Sequence, residues 1–310
     1  MTRSKFVYLG LVVAVLSAVV VFRALRPTES VSTVRFQVRK GLSARQIARD
    51  LHDSGLIRHP WSYWAWARLN RRKSARPGVY ELSPRASGFS IYRQLLQGPP
   101  LARVTFPEGW TARQMASLLE TRGVCPAADF LAVVEREKRE GFLFPDTYFF
   151  EQELPAATVV ARLIGRFREK APKDFQERAK AMKLSYGQLV TLASIVEKEA
   201  RVPPERPLIA GVFFNRLKKR WYLESCATVE YALGVWKPRL TYKDLEVQSP
   251  YNTYRHAGLP PGPICDPGAA ALEAAAHPEK TDMMFFVADG QGTHRFSRYY
   301  KEHLDIQKKR

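Results

Sequence analysis

Gln188-Leu189-Val190-Thr191-Leu192-Ala193-Ser194-Ile195-Val196-Glu197-Lys198-Glu199-Ala200 reads as a helix, because apolar residues recur three and four apart at Leu189, Leu192, Ala193, Val196 and Ala200. The helix must stop before Pro203-Pro204, where the backbone lacks the N–H groups that would continue it. Two carboxylates, Glu197 and Glu199, close the stretch. Helix positions two apart point about 200° away from each other, so the pair cannot share a face. Glu199 follows Ile195 by four residues and Val196 by three, along an apolar edge, whereas Glu197 stacks over Ala193 and Ser194. Apolar surroundings penalise the ionised form and raise a carboxyl's pKa, as a general acid working near neutrality requires. Glu199 is therefore the candidate acid. A Glu-Lys-Glu run is also what an ordinary solvated helix tip looks like, at the end where the dipole disfavours negative charge. The stretch by itself leaves both readings open.

Upstream, residues 124–185 read as largely helical, interrupted by the aromatic segment Gly141 to Phe150, which either lines a groove or packs beneath one. Asp146 in that segment is either a second carboxylate or a turn cap, the latter being the usual role after a proline. Downstream, Leu208 to Lys219 forms a second amphipathic helix carrying Asn215-Arg216. Gly258-Leu259-Pro260-Pro261-Gly262-Pro263-Ile264 is a rigid irregular loop expected to run over the surface. Ala269 to Ala276 is an alanine-rich helix that His277-Pro278 ends, and Asp282 to Gly290 reads as a buried strand. His294, in the turn beyond, is expected at the surface.

The chain of 310 residues is long enough for two modest domains with proper cores. Lys and Arg number 49 against 30 Asp and Glu, an excess of 19 that calls for an anionic neighbour. The N-terminus narrows that neighbour. Arg3 and Lys5 precede an uncharged run from Phe6 to Phe22, closed by Arg23 and Arg26. The run is short for a spanning helix, but flanking basic side chains can snorkel to the interface. Nothing after it resembles a small-residue cleavage site, so an uncleaved single-pass anchor is expected rather than a signal peptide. Residues 1–5 then form a cytoplasmic tail, 6–22 the anchor and 23–33 a linker, with the bulk of the chain extracytoplasmic and held at the plasma (inner) membrane. That placement excludes nucleic acid and favours anionic lipid or the cell envelope.

Val34-Arg35-Phe36-Gln37-Val38 alternates as a strand, and Gly41-Leu42-Ser43 opens a helix with Ser43 as N-cap, ended by Gly55. The pattern returns 68 positions later as Val104-Thr105-Phe106 and a helix opened by Gly109-Trp110-Thr111 and closed by Gly123. Seven of the fifteen positions aligned from Gly41 and Gly109 are identical, which marks an internal duplication of a strand-helix unit over 104–123. Between the copies, Trp61-Ser62-Tyr63-Trp64-Ala65-Trp66 gives a helix an aromatic face, for sugar stacking if exposed and for core if buried. Arg76 to Leu82 turns into a strand, and Ser90 to Leu96 forms a short helix stopped by Gly98-Pro99-Pro100. Residues 34–100 are thus a small β/α positioning or binding module, and 101–310 hold the chemistry, centred on 186–310.

Leu192 to Glu199, Tyr251-Asn252-Thr253-Tyr254, Gly258 to Gly262, Ala274-Ala275-Ala276-His277-Pro278 and Phe286-Val287-Ala288-Asp289-Gly290 stand in an order that resembles the YceG-like endolytic murein transglycosylase family. The resemblance runs from about residue 34 to the C-terminus. It implies an α+β architecture: an N-terminal transmembrane helix, a LysM-like module and a mixed, largely helical lytic transglycosylase domain. The family's catalytic glutamate falls on Glu199. The implied lyase reaction cuts the β-1,4 bond from MurNAc to GlcNAc within peptidoglycan strands, leaving 1,6-anhydroMurNAc ends. It implies work beside peptidoglycan synthases, setting glycan length. Asn215, Asn252, Thr253 and Tyr254 are candidates for orienting the sugars, or else for bracing loops. No metal site or cofactor is expected, since no paired Cys/His spacing and no phosphate loop is present.

One departure stands out. Where the family carries Asp-Pro before Thr-Val, this chain has Cys226-Ala227, and a second unusual cysteine, Cys265, follows the Gly-Pro loop. Two such residues in an extracytoplasmic domain suggest a Cys226–Cys265 disulfide, with Cys125 free. The alternative to an enzyme is a membrane-anchored protein that binds peptidoglycan or an anionic polymer without cutting it.

Overall fold

The computed structural model describes residues 32–70, 74–200, 202–237, 239–290 and 292–308. The expected cytoplasmic tail, the anchor over 6–22 and most of the linker lie outside these residues. Among the described residues no helix is long and apolar enough to cross a membrane. Among the described residues the architecture is α+β, mostly helical, with three two-stranded sheets. It divides into two compact units, one holding the described residues up to Ala102 together with Phe149–Glu153, the other Arg103–Tyr148 and the chain from Leu154 onward.

In the first unit, β1 (Val34–Val38) pairs antiparallel with β2 (Gly78–Leu82), with Phe36 opposite Tyr80. Helices α1 (Ala44–Asp53) and α2 (Pro60–Leu69) intervene, and α3 (Gly88–Gln97) follows. Alternation in β1 turns Phe36 and Val38 into a core with Ile47, Leu51, Tyr80 and Ile91. The aromatic helix α2 splits its residues. Tyr63 is buried, Trp61 is exposed, and Trp64 is half-buried with the Arg45 and Arg68 guanidinium groups 5.6 and 5.2 Å from its ring centroid.

In the second unit, β3 (Ala102–Thr105) leads into α4 (Ala112–Thr121), and the duplication shows in the caps. Ser43 with Gln46 and Thr111 with Gln114 form the same reciprocal capping box. Then follow α5 (Ala127–Glu137), β4 (Thr147–Phe150), which pairs with β3, α6 (Ala156–Lys170) and α7 (Phe175–Ala181). Asp146, whose Oδ2 lies 2.8 Å from Arg166 Nε, accepts the Thr147 N–H and caps its turn.

The stretch that opened the sequence analysis becomes α8 (Tyr186–Glu199), capped by Ser185 and Gln188. Every residue from Leu189 to Val196 is buried, so the helix is covered on all sides, not on one face. Helix α9 (Arg206–Lys218) and the alanine-rich α11 (Ala269–Ala276) pack on it, and α10 (Cys226–Leu233) lies between them in sequence. Small side chains on α11 let it come close: Ala274, Ala275, Ala276 and Leu272 share a core with Leu189, Leu192 and Ile195. The antiparallel pair β5 (Phe285–Ala288) and β6 (His294–Ser297), then α12 (Tyr300–Lys308), complete the unit. The strand expected over 282–290 shortens to four residues, Phe285 buried and the other three partly so.

The Gly-Pro loop departs from its expected surface path. It dives inward at Ile264, Cys265 and Asp266, each fully buried, because Ser194 accepts the Ile264 N–H at 3.0 Å and Asp266 accepts the Leu143 N–H at 2.8 Å. The disulfide is not formed: all three cysteines are free. Cys265 donates from its thiol to the Ser194 carbonyl within the core, while Cys226 is exposed with its thiol 3.3 Å from the Tyr254 hydroxyl.

Candidate active site

Glu199 is the last residue of α8, and the chain turns to extended backbone at Ala200. Its Oε1 accepts the Ser225 hydroxyl at 2.5 Å. Ser225 is the N-cap residue of α10, yet its hydroxyl makes no cap bond to its own helix; it is spent on the carboxyl of another. The Ala227 N–H, in the first turn of α10, also reaches Glu199. The carboxyl thus sits between the C-terminal end of α8 and the N-terminal end of α10, whose dipole favours negative charge there.

Two threonines hold Ser225 in place. The Ser225 N–H donates to Thr253 Oγ1 at 3.0 Å, Thr228 Oγ1 donates to the Ser225 carbonyl at 2.7 Å, and the two threonine hydroxyls lie 2.8 Å apart. All three residues are buried. Glu199 itself keeps an opening to solvent. Its dense surroundings dominate nonetheless: burial raises its pKa above the ordinary carboxylate range, opposed by Ser225, Ala227 and the charge of His294, and reinforced by Glu230. A carboxyl that resists ionisation but can be reached is suited to giving up a proton to a bound acceptor and taking one back.

Glu197 faces elsewhere, as helix geometry requires. Its side chain is 6% exposed, its Oε2 accepts the Gly268 N–H at 2.9 Å, and Arg206 lies 3.4 Å from Oε1. It ties α8 to the start of α11. Lys198, between the two glutamates, points its ammonium at the Gly109 carbonyl, 3.4 Å away, and at the ring of Trp236. Asn215 donates to the Thr281 and Met283 carbonyls at 2.9 and 3.1 Å. Asn252, fully buried, donates to the Leu245 and Val247 carbonyls and accepts the Tyr254 N–H. Thr253 braces Ser225. The structure therefore brings Thr253 and Tyr254 close to Glu199, with Tyr254 among the groups that feel its charge, and gives both asparagines bracing bonds.

Sequence reasoning passed over Ser225, Arg216 and His294. Arg216 is buried, donating to the Met284 and Leu223 carbonyls and to Glu224, with Glu199 among the charges it faces. His294 is not at the surface: its side chain is 6% exposed, with Nδ1 2.6 Å from Glu205 Oε2. Strand β6 turns it inward against Phe286. A serine before a helix reads as a cap, which hid its second use; a buried arginine or histidine carries no periodic signal at all.

The YceG-like family matches residues 36–309. An endolytic murein transglycosylase of Bacillus subtilis (strain 168) is 31% identical, the alignment covering 92% of this chain and 87% of that one. An endolytic murein transglycosylase of Streptococcus pneumoniae serotype 2 is 28% identical over 81% of this chain and 53% of its own length. A crystal structure of a YceG-like protein from Listeria monocytogenes superposes with a TM-score of 0.61 at 31% identity, covering 89% of this chain and all of that one.

Proposed function

The chain belongs to the YceG-like family, and from that premise we propose that its chemistry runs through Glu199. It is an endolytic murein transglycosylase, a lyase that cuts peptidoglycan glycan strands. The observation that carries the assignment of the acid is the enclosed but reachable Glu199 carboxyl on the Ser225 hydroxyl. Glu199 protonates the oxygen bridging MurNAc C1 to GlcNAc C4, and the bond from C1 to that oxygen breaks. The resulting carboxylate takes the proton of the muramoyl C6 hydroxyl, whose oxygen closes on C1. The product is a 1,6-anhydro end, no water is consumed, and Glu199 ends protonated. One carboxyl suffices, whereas hydrolysing glycosidases use two. Glu197, held by Gly268 and Arg206, is not available as the second.

In this reading Tyr254 borders the sugars, while Thr253, Asn252 and Asn215 hold the walls. Residues 6–22 anchor the protein once in the plasma membrane, with the enzyme outside it and peptidoglycan synthases as its partners. The strand-helix-helix-strand order of β1, α1, α2 and β2 supports a LysM-like module. The test is digestion of purified peptidoglycan by the full-length chain in detergent beside its Glu199→Gln twin, with mass spectrometry of the fragments. Anhydro ends from the parent and none from the twin are expected. Reducing ends would make it a hydrolase, and glycan retention without cleavage by either would leave a binding protein.

A further inference from the structure

We propose that Trp236 is a sugar-stacking platform at the rim of the Glu199 site, taking a pyranose ring of the glycan strand. The proposal rests on the glycan-cutting reading of that site. Two independent ties bring Trp236 there. Its ring centroid lies 3.6 Å from the Lys198 ammonium, and Lys198 is the residue before Glu199 on α8. The next residue, Lys237, donates its N–H at 3.0 Å to Glu230 Oε1, and the charge of Glu230 acts on Glu199.

The ring is neither core nor a loose tip. Lys198 is steadied by its hydrogen bond to the Gly109 carbonyl, so the ammonium is a fixed cushion against the indole. The loop is fixed on the other side by the Lys237 ammonium on Asp244 at 2.6 Å and by the Gly234 cap, whose φ of 71° suits glycine. With these restraints the residue still leaves 39% of its surface in solvent. A large apolar surface held rigid beside a carbohydrate-cutting carboxyl matches the C–H face of a pyranose, and it loses little entropy when that face docks. The cation beneath it contributes no charge that a neutral sugar would need, so the exposed indole surface is the recognition element.

Steady-state digestion of uncross-linked glycan strands by the full-length chain tests this with Trp236→Ala and Trp236→Tyr. Trp236→Ala is expected to raise KM about tenfold, a 1.4 kcal/mol loss of binding, with kcat within about twofold, and Trp236→Tyr to recover most of it. A fall in kcat at unchanged KM, or no change in either, overturns the proposal. Sedimentation of the same strands with Glu199→Gln and with the double variant Glu199→Gln, Trp236→Ala reads binding without cutting. Weaker binding by the double variant supports the platform, and equal binding overturns it, whether or not the parent releases anhydro ends. Absence of anhydro ends from the parent would instead refute the lytic reading.

Discussion

At the scale of single residues, the proposed acid Glu199 is tuned by its neighbours, and the direction of each effect can be measured. Ser225 stabilises the ionised form of Glu199, so Ser225→Ala moves the alkaline limb of the pH profile of kcat/KM upward. The same change releases the carboxyl from its orientation and lowers kcat/KM by about a hundredfold, whereas Ser225→Thr keeps the hydroxyl and most of the rate. Glu140 and Asp266 behave differently. Burial pushes Glu140 up to about 7 and Asp266 well above its ordinary range, and the charge of Glu140 adds to the rise at Asp266. At these two carboxyls the folded protein holds more protons than the unfolded chain between the ordinary carboxyl range and the raised values, so the stability they contribute is lost as pH rises through about 7. Thermal melts are expected to be higher at pH 5.5 than at pH 8, and Glu140→Gln to flatten the difference. A melt that rises with pH would show the carboxyls to be stabilised as ions instead.

At the scale of elements, two helical glycines with opposite surroundings make a paired prediction. A Cβ on Gly211, in α9, would come within 2.4 Å of the Glu279 carbonyl, a backbone atom that cannot swing aside. Gly211→Ala should destabilise by about 2 kcal/mol, outweighing the gain of up to ~1 kcal/mol in helix propensity. Gly165, in α6, has nothing within 4 Å of the same position, and Gly165→Ala should stabilise by about 0.5–1 kcal/mol. Denaturant titrations of the two variants check both signs. Elements were also where the sequence was most readable. The ends of the alanine-rich helix and of β1 follow from composition and alternation, and the N-cap of α1 from Ser43. What stayed hidden depends on long-range bonds. Nothing local in Asp266 says that it accepts an N–H from Leu143, over a hundred positions away, and nothing in Ser225 separates a cap from a partner for Glu199.

At the scale of the whole molecule, the formal charge of +19 favours an anionic neighbour. Binding to anionic vesicles or cell-wall polymer is expected to weaken severalfold between about 0.05 and 0.3 M salt, as the screening length shortens. Retention that ignores salt would point to contacts other than charge. The mixed, mostly helical architecture was legible in the periodicity of the chain. That Glu199 ends up facing α10 was not.

The hydroxyl of Ser225, turned away from its own helix, has a consequence for inhibition. Whatever displaces the 225–228 turn frees the Glu199 carboxyl, since that turn supplies both of the donors that steady it. The buried contact between Thr228 and Thr253 is the latch of that turn. On the proposed mechanism, a small molecule that pried it open would disarm the enzyme without resembling a sugar.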